Sequence, residues 1–489
     1  MKYLFIHQNF PGQFGSIASH LAKQKGNEVV ALRFRKDAVD VPGVAIINYR
    51  LLNEPLEQQH LLLKETEAKV LRAEAVAEAA VRLKLNGWNP DVIIAHPGWG
   101  EAMYVKDVWP EARLVCYFEY FYNVKGQDFN FDPEFQDKSI TGRAALKAKN
   151  AVMLQALQEA DAGWTPSNWQ KSTFPAWAQN KIDVINEGID LKYFKPNSKA
   201  NFSIENKGIL LTAKDEVITY AARSLEPVRG FHVFMRALPT ILKERPNAHV
   251  VIMGREKASY GPEPDGHSSW LQKLLKEVGN ELDPARVHIV GFLPKDQYRA
   301  ILQVSSAHVY LTYPFVLSWS AVEAQACGAT LVASNTGPLL DAAPASDGRY
   351  LFDFFDRDDF LEKLYAVLSL KPKDKARIQK AALTWLGNKF GMQANLEVLA
   401  DLFYAGTVTK PSTKATSPRV ANKPKVNVAS VTEKSTVAKK AVAKTKPAIK
   451  KAEPKVNSNP ALKKAKASKK SSKSVPVEKK RTPVKGVKK

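Results

Sequence analysis

The chain has 489 residues, more than one hydrophobic core usually serves, so its length predicts at least two domains. Its formal net charge of +23 is unevenly placed, because residues 406–489 carry 25 of the 72 Lys and Arg but only 3 of the 49 Asp and Glu. Two cysteines far apart in apolar runs, Cys116 and Cys327, exclude a disulfide framework and predict buried thiols, and without an apolar run of about eighteen residues no membrane-spanning helix is expected.

The first 190 residues predict an α/β domain in which strands and helices alternate. Strands are predicted over residues 3–7, 28–34, 44–48, 91–96, 113–118, 162–165 and 181–185, and helices over residues 16–25, 55–85 and 143–159. The helix over 55–85 is unusually long, roughly 45 Å at about 1.5 Å per residue, and Asn86-Gly87 ends it. Alternation of this kind favours a parallel sheet.

Residues 191–385 predict a second α/β domain, which begins with a polar, strand-poor connection over 195–215. Its strands are predicted near residues 218–222, 249–253, 287–290, 308–311 and 330–334. A C-terminal helix over 386–405 is expected to return to the first domain. Two such units in tandem place a ligand in the cleft between them.

The turn after the strand at 218–222 holds two arginines, Arg223 and Arg229, with Gly230 after the second. A planar guanidinium fork beside a helix start with free N–H groups suits a diphosphate. The turn therefore predicts an anionic, nucleotide-like ligand at the carboxyl end of this strand. The alternative is that both arginines are surface charges that flank a loop.

A second stretch, residues 311–341, supplies the other half of such a site. A strand is predicted to end at Thr312, and a helix to begin near residues 318–320 with Glu323 in its first turns. N–H groups at a helix start can hold a phosphate, and a glutamate one turn further in can accept hydrogen bonds from both ribose hydroxyls. Alternatively, Glu323 is only a favourable charge near a helix N-terminus, worth about 0.3–1 kcal/mol.

Together the two stretches resemble the GT-B glycosyltransferases of family 4 over roughly residues 1–405. The matching residues are Ala222-Arg223, Arg229-Gly230-Phe231, Glu323-Ala324, Ala326-Cys327-Gly328, Ser334, Thr336 and Gly337. The strings HQNFPGQF at 7–14, AHPGWGE at 95–101 and LTYPFVLSWS at 311–320 are similar to those of a bacterial subgroup. The resemblance implies an α/β GT-B fold, with two Rossmann-like domains facing across a cleft and a disordered C-terminal tail.

The resemblance also implies an activity, the retaining transfer of a sugar from a nucleoside diphosphate sugar to an acceptor hydroxyl. In that reaction Arg223 and Arg229 bind the donor diphosphate and His96 hydrogen-bonds the transferred sugar, so these three are the expected catalytic residues. The expected donor-binding residues are Gly12, Gln13, Phe292, Leu293, Ser318, Trp319, Ser320 and Glu323. No metal and no cofactor is expected. Without the resemblance, His96 reads equally well as a histidine satisfied by backbone groups.

One departure from the family pattern concerns the transferred sugar. Many members carry two glutamates separated by seven residues, and the first of them contacts the sugar. The corresponding position here, eight residues before Glu323, is Phe315. The resemblance therefore leaves the sugar-contacting role to Ser318, Ser320 or backbone amides.

Two further stretches are open to more than one interpretation. The string DFFDRDD over 353–359 offers carboxylates for a metal but is expected to be a helix start with acidic residues in its first turn. Glu119 and Asp128 lie in an aromatic-rich stretch over 116–132, which either meets an acceptor sugar or forms an ordinary strand and loop.

Residues 406–489, rich in Lys, Ala and Pro and without aromatic residues, are similar to linker-histone tails and are expected to be disordered. They suit a polyanion, either an anionic membrane surface or nucleic acid, or serve only as a solubilising extension. Residues 1–7 turn polar too soon for a secretory signal, so the chain is expected in the cytoplasm, peripheral at the inner membrane face if the tail binds lipid.

The leading hypothesis is thus a cytoplasmic glycosyltransferase with a glycan or lipid-linked acceptor, in envelope or exopolysaccharide biosynthesis. One alternative is a nucleic-acid-associated or membrane-surface binding protein whose GT-B body is degenerate. Another is a different GT-B activity, such as that of a phosphorylase or an epimerase.

Overall fold

A computed structural model describes residues 1–342 and 350–405. The predictions made for residues 406–489 lie outside the described residues. The rest of the chain forms two parallel sheets covered by helices, which confirms the α/β class and the two-sheet architecture. Among the residues described, every helix falls short of the length and apolarity needed to cross a bilayer.

The first sheet has seven parallel strands. They are β1 (Lys2–Ile6), β2 (Glu28–Arg33), β3 (Val44–Asn48), β4 (Val92–Ala95), β5 (Arg113–Tyr117), β6 (Ala162–Thr165) and β7 (Ile182–Val184), in the order β3-β2-β1-β4-β5-β6-β7. Its helices are α1 (Gly15–Ala22), α2 (Lys64–Leu85), α3 (Val105–Val108), α4 (Ile140–Glu159), α5 (Asn168–Thr173) and α6 (Ala176–Gln179). The central strands are apolar and buried on both faces, as expected when helices cover both sides of a parallel sheet.

Helix α2 is shorter than predicted, because it begins at Lys64 rather than near residue 55. The apolar residues before it are not packed against the domain, since Leu56 and Leu61 are both exposed. The His60 side chain accepts a hydrogen bond from the Leu62 backbone N–H and so caps the turn that precedes the helix. The sequence over 55–63 has helical composition, but tertiary packing does not support a helix there.

The second sheet has six parallel strands. They are β10 (Val217–Ser224), β11 (His249–Arg255), β12 (Val287–Gly291), β13 (Ala307–Tyr310), β14 (Thr330–Ser334) and β15 (Leu351–Phe352), in the order β12-β11-β10-β13-β14-β15. The helices that follow α6 are α7 (Phe231–Glu244), α8 (Trp270–Val278), α9 (Lys295–Val304), α10 (Ser320–Ala326), α11 (Gly337–Leu340), α12 (Arg357–Leu368), α13 (Pro372–Phe390) and α14 (Met392–Tyr404).

The connection between the two sheets contains a hairpin that sequence analysis missed. Strands β8 (Asn201–Ile204) and β9 (Ile209–Thr212) pair antiparallel. Phe202, Ile204 and Leu211 are buried, so a short alternation of apolar and polar residues covers the edge of the second core. The sequence predicts this connection, over 195–215, to be polar and strand-poor, and the structure adds two four-residue strands to it.

Helix α14 packs on the first sheet although it ends the described chain. Leu396 and Phe403 lie in one apolar cluster with Tyr3 of β1 and Trp164 of β6, and the rings of Phe403 and Trp164 are 5.5 Å apart. The Arg113 guanidinium also donates a hydrogen bond to the Leu402 carbonyl. The last helix thereby ties the end of the described chain to the first sheet.

In each sheet the order in which successive strands are added reverses at one point, between β1 and β4 in the first sheet and between β10 and β13 in the second. Loops that leave the carboxyl ends of such neighbouring strands part and form a crevice, the usual ligand position in open α/β sheets. His7 follows β1 and His96 follows β4, while Arg223 lies near the end of β10 and Thr312 just beyond β13. The fold thus puts the predicted site residues at two facing crevices.

Candidate active site

A cavity of about 560 Å³ lies where loops from the two sheets meet. Its walls include seven of the predicted site residues, Gly12, Gln13, Arg223, Arg229, Phe292, Ser318 and Trp319. Other lining residues not assigned from the sequence include Arg255, Tyr260, Tyr117 and Glu187. Residues more than 200 positions apart in the sequence thus share one cavity, in the size range of small-molecule sites.

The two predicted arginines differ in their surroundings. Arg223 is exposed to the cavity, whereas Arg229 is only 3% exposed. Nη1 of Arg229 donates to Thr312 Oγ1 at 2.9 Å and to the Val316 carbonyl at 2.8 Å, which fixes the guanidinium. One guanidinium is therefore fixed in the cavity wall, and the other is exposed on the cavity surface.

The backbone conformation at position 230 explains why a glycine follows Arg229. The φ of Gly230 is +64°, a conformation that costs other residues energy, and a Cβ atom there would lie 2.3 Å from Cβ of Leu311. The close approach seats Arg229 and the start of α7 against the end of β13. A larger residue would displace the arginine from the cavity.

Phe315, at the position where many relatives have a carboxylate, is 5% exposed and does not line the cavity. Its ring packs against the rings of Tyr120 and Tyr260, at centroid distances of 4.9 and 5.0 Å. The Arg229 guanidinium carbon lies 5.5 Å from the Phe315 ring and 5.3 Å from the Tyr260 ring. The aromatic side chains thus support the buried arginine, and no carboxylate reaches the cavity from this position.

On the other side of the cavity, Gly12 and Gln13 belong to the turn before α1. Gly12 has φ +46°, and a Cβ atom there would meet the His7 ring at 2.8 Å. The Gln13 amide bridges two side chains, because its oxygen lies 3.0 Å from His7 Nε2 and its nitrogen donates to Glu119 Oε1 at 3.0 Å. The loop is therefore tied to the ends of β1 and β5.

His96 does not line the large cavity. It lies on a smaller cavity of about 90 Å³, next to Trp99 and Tyr122. Its Nδ1 accepts a hydrogen bond from Gly98 N at 3.3 Å, and its Nε2 lies 3.4 Å from Glu119 Oε2. Glu119 lines both cavities, and therefore lies between the cavity of His96 and the cavity of Arg223 and Arg229.

Three predicted donor-binding residues lie behind the cavity wall. Glu323 is 8% exposed, and its Oε2 accepts a hydrogen bond from the Tyr298 hydroxyl at 2.8 Å. Burial raises the pKa of Glu323 above its ordinary value. Ser320 is buried and its hydroxyl donates to the Ala221 carbonyl at 3.2 Å, while Leu293 packs on the second core.

Two further arginines that sequence analysis missed line the cavity, Arg35 after β2 and Arg255 at the end of β11. Arg255 is the one that contacts an aromatic ring of the cavity. The Arg255 guanidinium carbon lies 4.4 Å from the ring centroid of Phe292, a residue that is 66% exposed. The signal that would have found it is its place at the carboxyl end of a strand next to β10. Together these two residues form a flat cationic and aromatic surface on which a nucleobase can stack.

Both cysteines are buried, as predicted. Burial raises the pKa of the Cys327 thiol to about 12 and also raises that of Cys116. Neither thiol is therefore an available nucleophile.

The acidic string over 353–359 is the start of a helix, as predicted. The Asp356 side chain caps α12 by accepting hydrogen bonds from the backbone N–H groups of Asp358 and Asp359. These carboxylates complement the helix N-terminus.

Elsewhere in the described residues, ligand atoms of Asp132, Glu134 and His232 lie within 4.8 Å of one another. They are engaged with other partners, since Asp132 Oδ2 accepts from His232 Nε2 at 2.9 Å and from the Tyr313 hydroxyl at 2.7 Å. Glu134 forms a two-point ion pair with Arg236, at 2.6 and 2.9 Å. The cluster therefore joins a first-domain segment to the second domain.

Two family models match the chain. The Glycosyl transferase family 4 group covers residues 25–194, and the Glycosyl transferases group 1 covers residues 202–385. The D-inositol 3-phosphate glycosyltransferase of Segniliparus rotundus is 25% identical over 159 residues, which make up 32% of this chain and 33% of that protein. The chain thus spans about one third of the length of this relative.

Solved structures show the same fold. Sucrose-phosphate synthase from Thermosynechococcus elongatus superposes with a TM-score of 0.62 at 16% identity, over 83% of this chain and 98% of that one. Anabaena HepE in complex with UDP and glucose gives a TM-score of 0.58 at 15% identity, over 83% and 99% of the two chains. With two family models in tandem on a GT-B fold, the chain belongs to the group 1 glycosyl transferases, with a first domain of the family 4 group.

Proposed function

We propose that the protein is a retaining, metal-independent glycosyltransferase that moves a sugar from a nucleoside diphosphate sugar to an acceptor hydroxyl. The observation that carries the proposal is the position of Arg223 and Arg229 on the cavity that Gly12 and Gln13 line from the other domain. A diphosphate bound by the arginines would present its sugar toward the first domain. The family membership supports the same reaction class.

The arginines would supply the main electrostatic contribution. As the bond between sugar and diphosphate breaks, negative charge grows on the departing nucleotide, and preorganised cations stabilise it. Arg229 is held by Thr312 and Val316 before any ligand binds, so its charge needs no reorganisation. Ser318 and Trp319 line the same cavity, and because the Ser318 backbone N–H donates to the Tyr310 hydroxyl at 2.8 Å, the Ser318 side-chain hydroxyl and the Trp319 backbone N–H would hold the distal phosphate.

The nucleoside would lie toward the second domain. Phe292 and Arg255 offer the base a stacking surface. Glu323 would bind the ribose with the carboxylate oxygen that Tyr298 does not occupy, which requires a small opening of the wall because Glu323 is buried. His96 would hydrogen-bond the transferred sugar at the boundary between the two cavities, where it lies 3.4 Å from Glu119.

The proposal is tested by thermal shift and donor hydrolysis with a panel of UDP-, GDP- and ADP-sugars. UDP-glucose is the first probe, because HepE was solved in complex with it. At a concentration about 100 times its Kd, a true donor stabilises the fold by about 2.7 kcal/mol and raises the Tm measurably. If no nucleotide sugar in the panel binds, the proposal is wrong.

Two alternatives predict different outcomes of the same panel. A degenerate GT-B body would bind a nucleotide or none, and would release no sugar from any donor. A phosphorylase would depend on inorganic phosphate, and an epimerase would change the sugar without transferring it.

We further propose that residues 406–489 tether the enzyme to an anionic surface in the cytoplasm. Their 25 basic and 3 acidic residues suit phospholipid headgroups, and a membrane surface suits a lipid-linked acceptor in envelope polysaccharide synthesis. Deletion of 406–489 is expected to abolish sedimentation with phosphatidylserine vesicles at low salt and to leave the hydrolysis rate unchanged. Vesicle binding by the truncated chain would contradict the tether, and binding of DNA but not vesicles by the full chain would assign it to nucleic acid.

A further inference from the structure

Glu119 is a carboxylate on the donor cavity for which the proposed function has no role. It follows β5, the strand that pairs with β4, so it lies beside His96 at the same edge of the sheet. Its side chain is 31% exposed and lines both the cavity with the arginines and the smaller cavity with His96. A group bound at Glu119 would therefore touch both spaces.

The orientation of the Glu119 carboxylate is set by a chain of side-chain hydrogen bonds. His7 Nδ1 accepts from Asn9 N at 2.9 Å, so its Nε2 carries the proton and donates to the Gln13 oxygen at 3.0 Å. This fixes the Gln13 amide so that its nitrogen donates to Glu119 Oε1 at 3.0 Å. Burial and the neighbouring His96 lower the pKa of His7 to about 3, which agrees with a neutral ring.

The second carboxylate oxygen is oriented by His96. Since His96 Nδ1 accepts from Gly98 N, its Nε2 is the donor toward Glu119 Oε2 at 3.4 Å. Burial opposes ionisation of Glu119, but the hydrogen bonds from His96 and Gln13 hold its pKa below the ordinary value. The side chain is thus an ionised acceptor with two of its roughly four lone-pair positions in use.

The smaller cavity has the lining that a polyhydroxylated molecule needs. Trp99 and Tyr122 offer aromatic faces, and Lys149 lies over the Tyr122 ring with Nζ 5.0 Å from its centroid. Asn150 lines the same space. Its volume of about 90 Å³ admits a few water molecules or part of one sugar ring.

We propose that Glu119 binds the attacking hydroxyl of the acceptor, and that the acceptor is a sugar or other polyol seated against Trp99 and Tyr122. This inference rests on the proposed glycosyl transfer and places the acceptor carboxylate on the first domain. The carboxylate accepts the hydrogen bond of the hydroxyl and so directs its oxygen toward the donor cavity.

The test is Glu119→Gln, assayed by hydrolysis of the nucleotide sugar that the wild-type chain binds, with water as the acceptor hydroxyl. The amide places an N–H₂ group where the carboxylate accepts hydrogen bonds, so we expect kcat for hydrolysis to fall about 10- to 100-fold. The KM for the nucleotide sugar and the Kd for UDP, measured by calorimetry, are expected to stay within about twofold of wild type. Glu119→Asp, which keeps the charge, is expected to recover part of the rate.

The matched control is Glu101→Gln, which changes a fully buried carboxylate of the same domain. Glu101 accepts a hydrogen bond from the Tyr49 hydroxyl at 2.7 Å and lines neither cavity, so the control is expected to hydrolyse the donor like wild type. Hydrolysis by Glu119→Gln within threefold of wild type would overturn the inference. A raised donor KM with unchanged kcat would overturn it too, because Glu119 would then hold the transferred sugar.

If Glu119→Gln does not fold, Glu119→Asp decides in its place, with a lowered kcat at unchanged UDP affinity supporting the inference and an unchanged kcat overturning it. A wild-type chain that binds no nucleotide would instead show that the proposed function itself is wrong.

Discussion

Replacing Arg223 with alanine is expected to lower the rate of sugar transfer about 100- to 1,000-fold, the cost of removing one charge-stabilising donor from an active site. Arg223 is exposed on the cavity wall, so little packing is lost and the Tm should stay within about 1 °C of wild type. Arg223→Lys keeps the charge but loses the planar fork, and is expected to retain part of the rate. The measurement is initial transfer or hydrolysis rate together with UDP affinity.

The matched control is Arg377→Ala on α13. Arg377 has a side chain that is 62% exposed and lies 3.9 Å from Asp374, outside the residues that line the cavity. Its loss is expected to change neither rate nor affinity. Equal rates for Arg223→Ala and Arg377→Ala would remove Arg223 from the diphosphate site.

Replacing Glu226 with glutamine is expected to destabilise the fold by about 1–3 kcal/mol and to weaken nucleotide binding, although the two side chains have the same shape. Glu226 is buried after β10, and its Oε1 accepts from Ser259 N at 3.1 Å. Its Oε2 accepts from Tyr260 N at 3.1 Å and from Gly261 N at 2.9 Å. An amide cannot accept on both sides, so at least one backbone N–H loses its partner and the loop that holds Tyr260 over Arg229 loosens.

Urea denaturation and calorimetry with UDP measure the two effects of Glu226→Gln. Glu263→Gln is the control in the same loop, because Glu263 is exposed and accepts a single hydrogen bond, from Ala258 N at 2.9 Å, which an amide oxygen can keep. We expect the control to match wild type within about 0.5 kcal/mol. A Glu226→Gln protein as stable as the control would show that the carboxylate does not anchor the loop.

Much of the second sheet could be predicted because its strands are buried on both faces and read as short apolar runs, as in Thr330–Ser334. The hairpin of β8 and β9 could not, since four-residue strands with one exposed face leave only a weak alternation. Residues 55–63, which the sequence predicts to belong to α2, have the composition of a helix. They lack a packing partner in the fold, and the local sequence does not show whether such a partner exists.

The candidate site shows the same division. Arg223 and Arg229 could be found because they lie six residues apart, at the end of β10 and just before α7, whereas Gly12 and Gln13 share their cavity only through the packing of the two domains. Arg255 lies beside the two arginines because β11, the next strand along the chain, pairs with β10, so the carboxyl end of this predicted strand is the place to look for it.

The Glu119 side chain is oriented by a hydrogen bond from Gln13, which is 106 residues away in the sequence. His96, assigned to the sugar by family resemblance, lies behind that bond rather than on the cavity wall. Contacts between residues so far apart in the sequence depend on how the loops pack against each other at the strand ends. This packing cannot be predicted from the sequence of either loop alone.

The central claim is that the two arginines bind the diphosphate of a nucleotide sugar, and a crystal structure of the protein with the best-binding member of the panel tests it most directly. The account predicts diphosphate oxygens within hydrogen-bond distance of Arg223 and Arg229, with the sugar facing Gly12 and Gln13. A nucleotide sugar bound elsewhere on the protein, with its diphosphate away from both arginines, would contradict it.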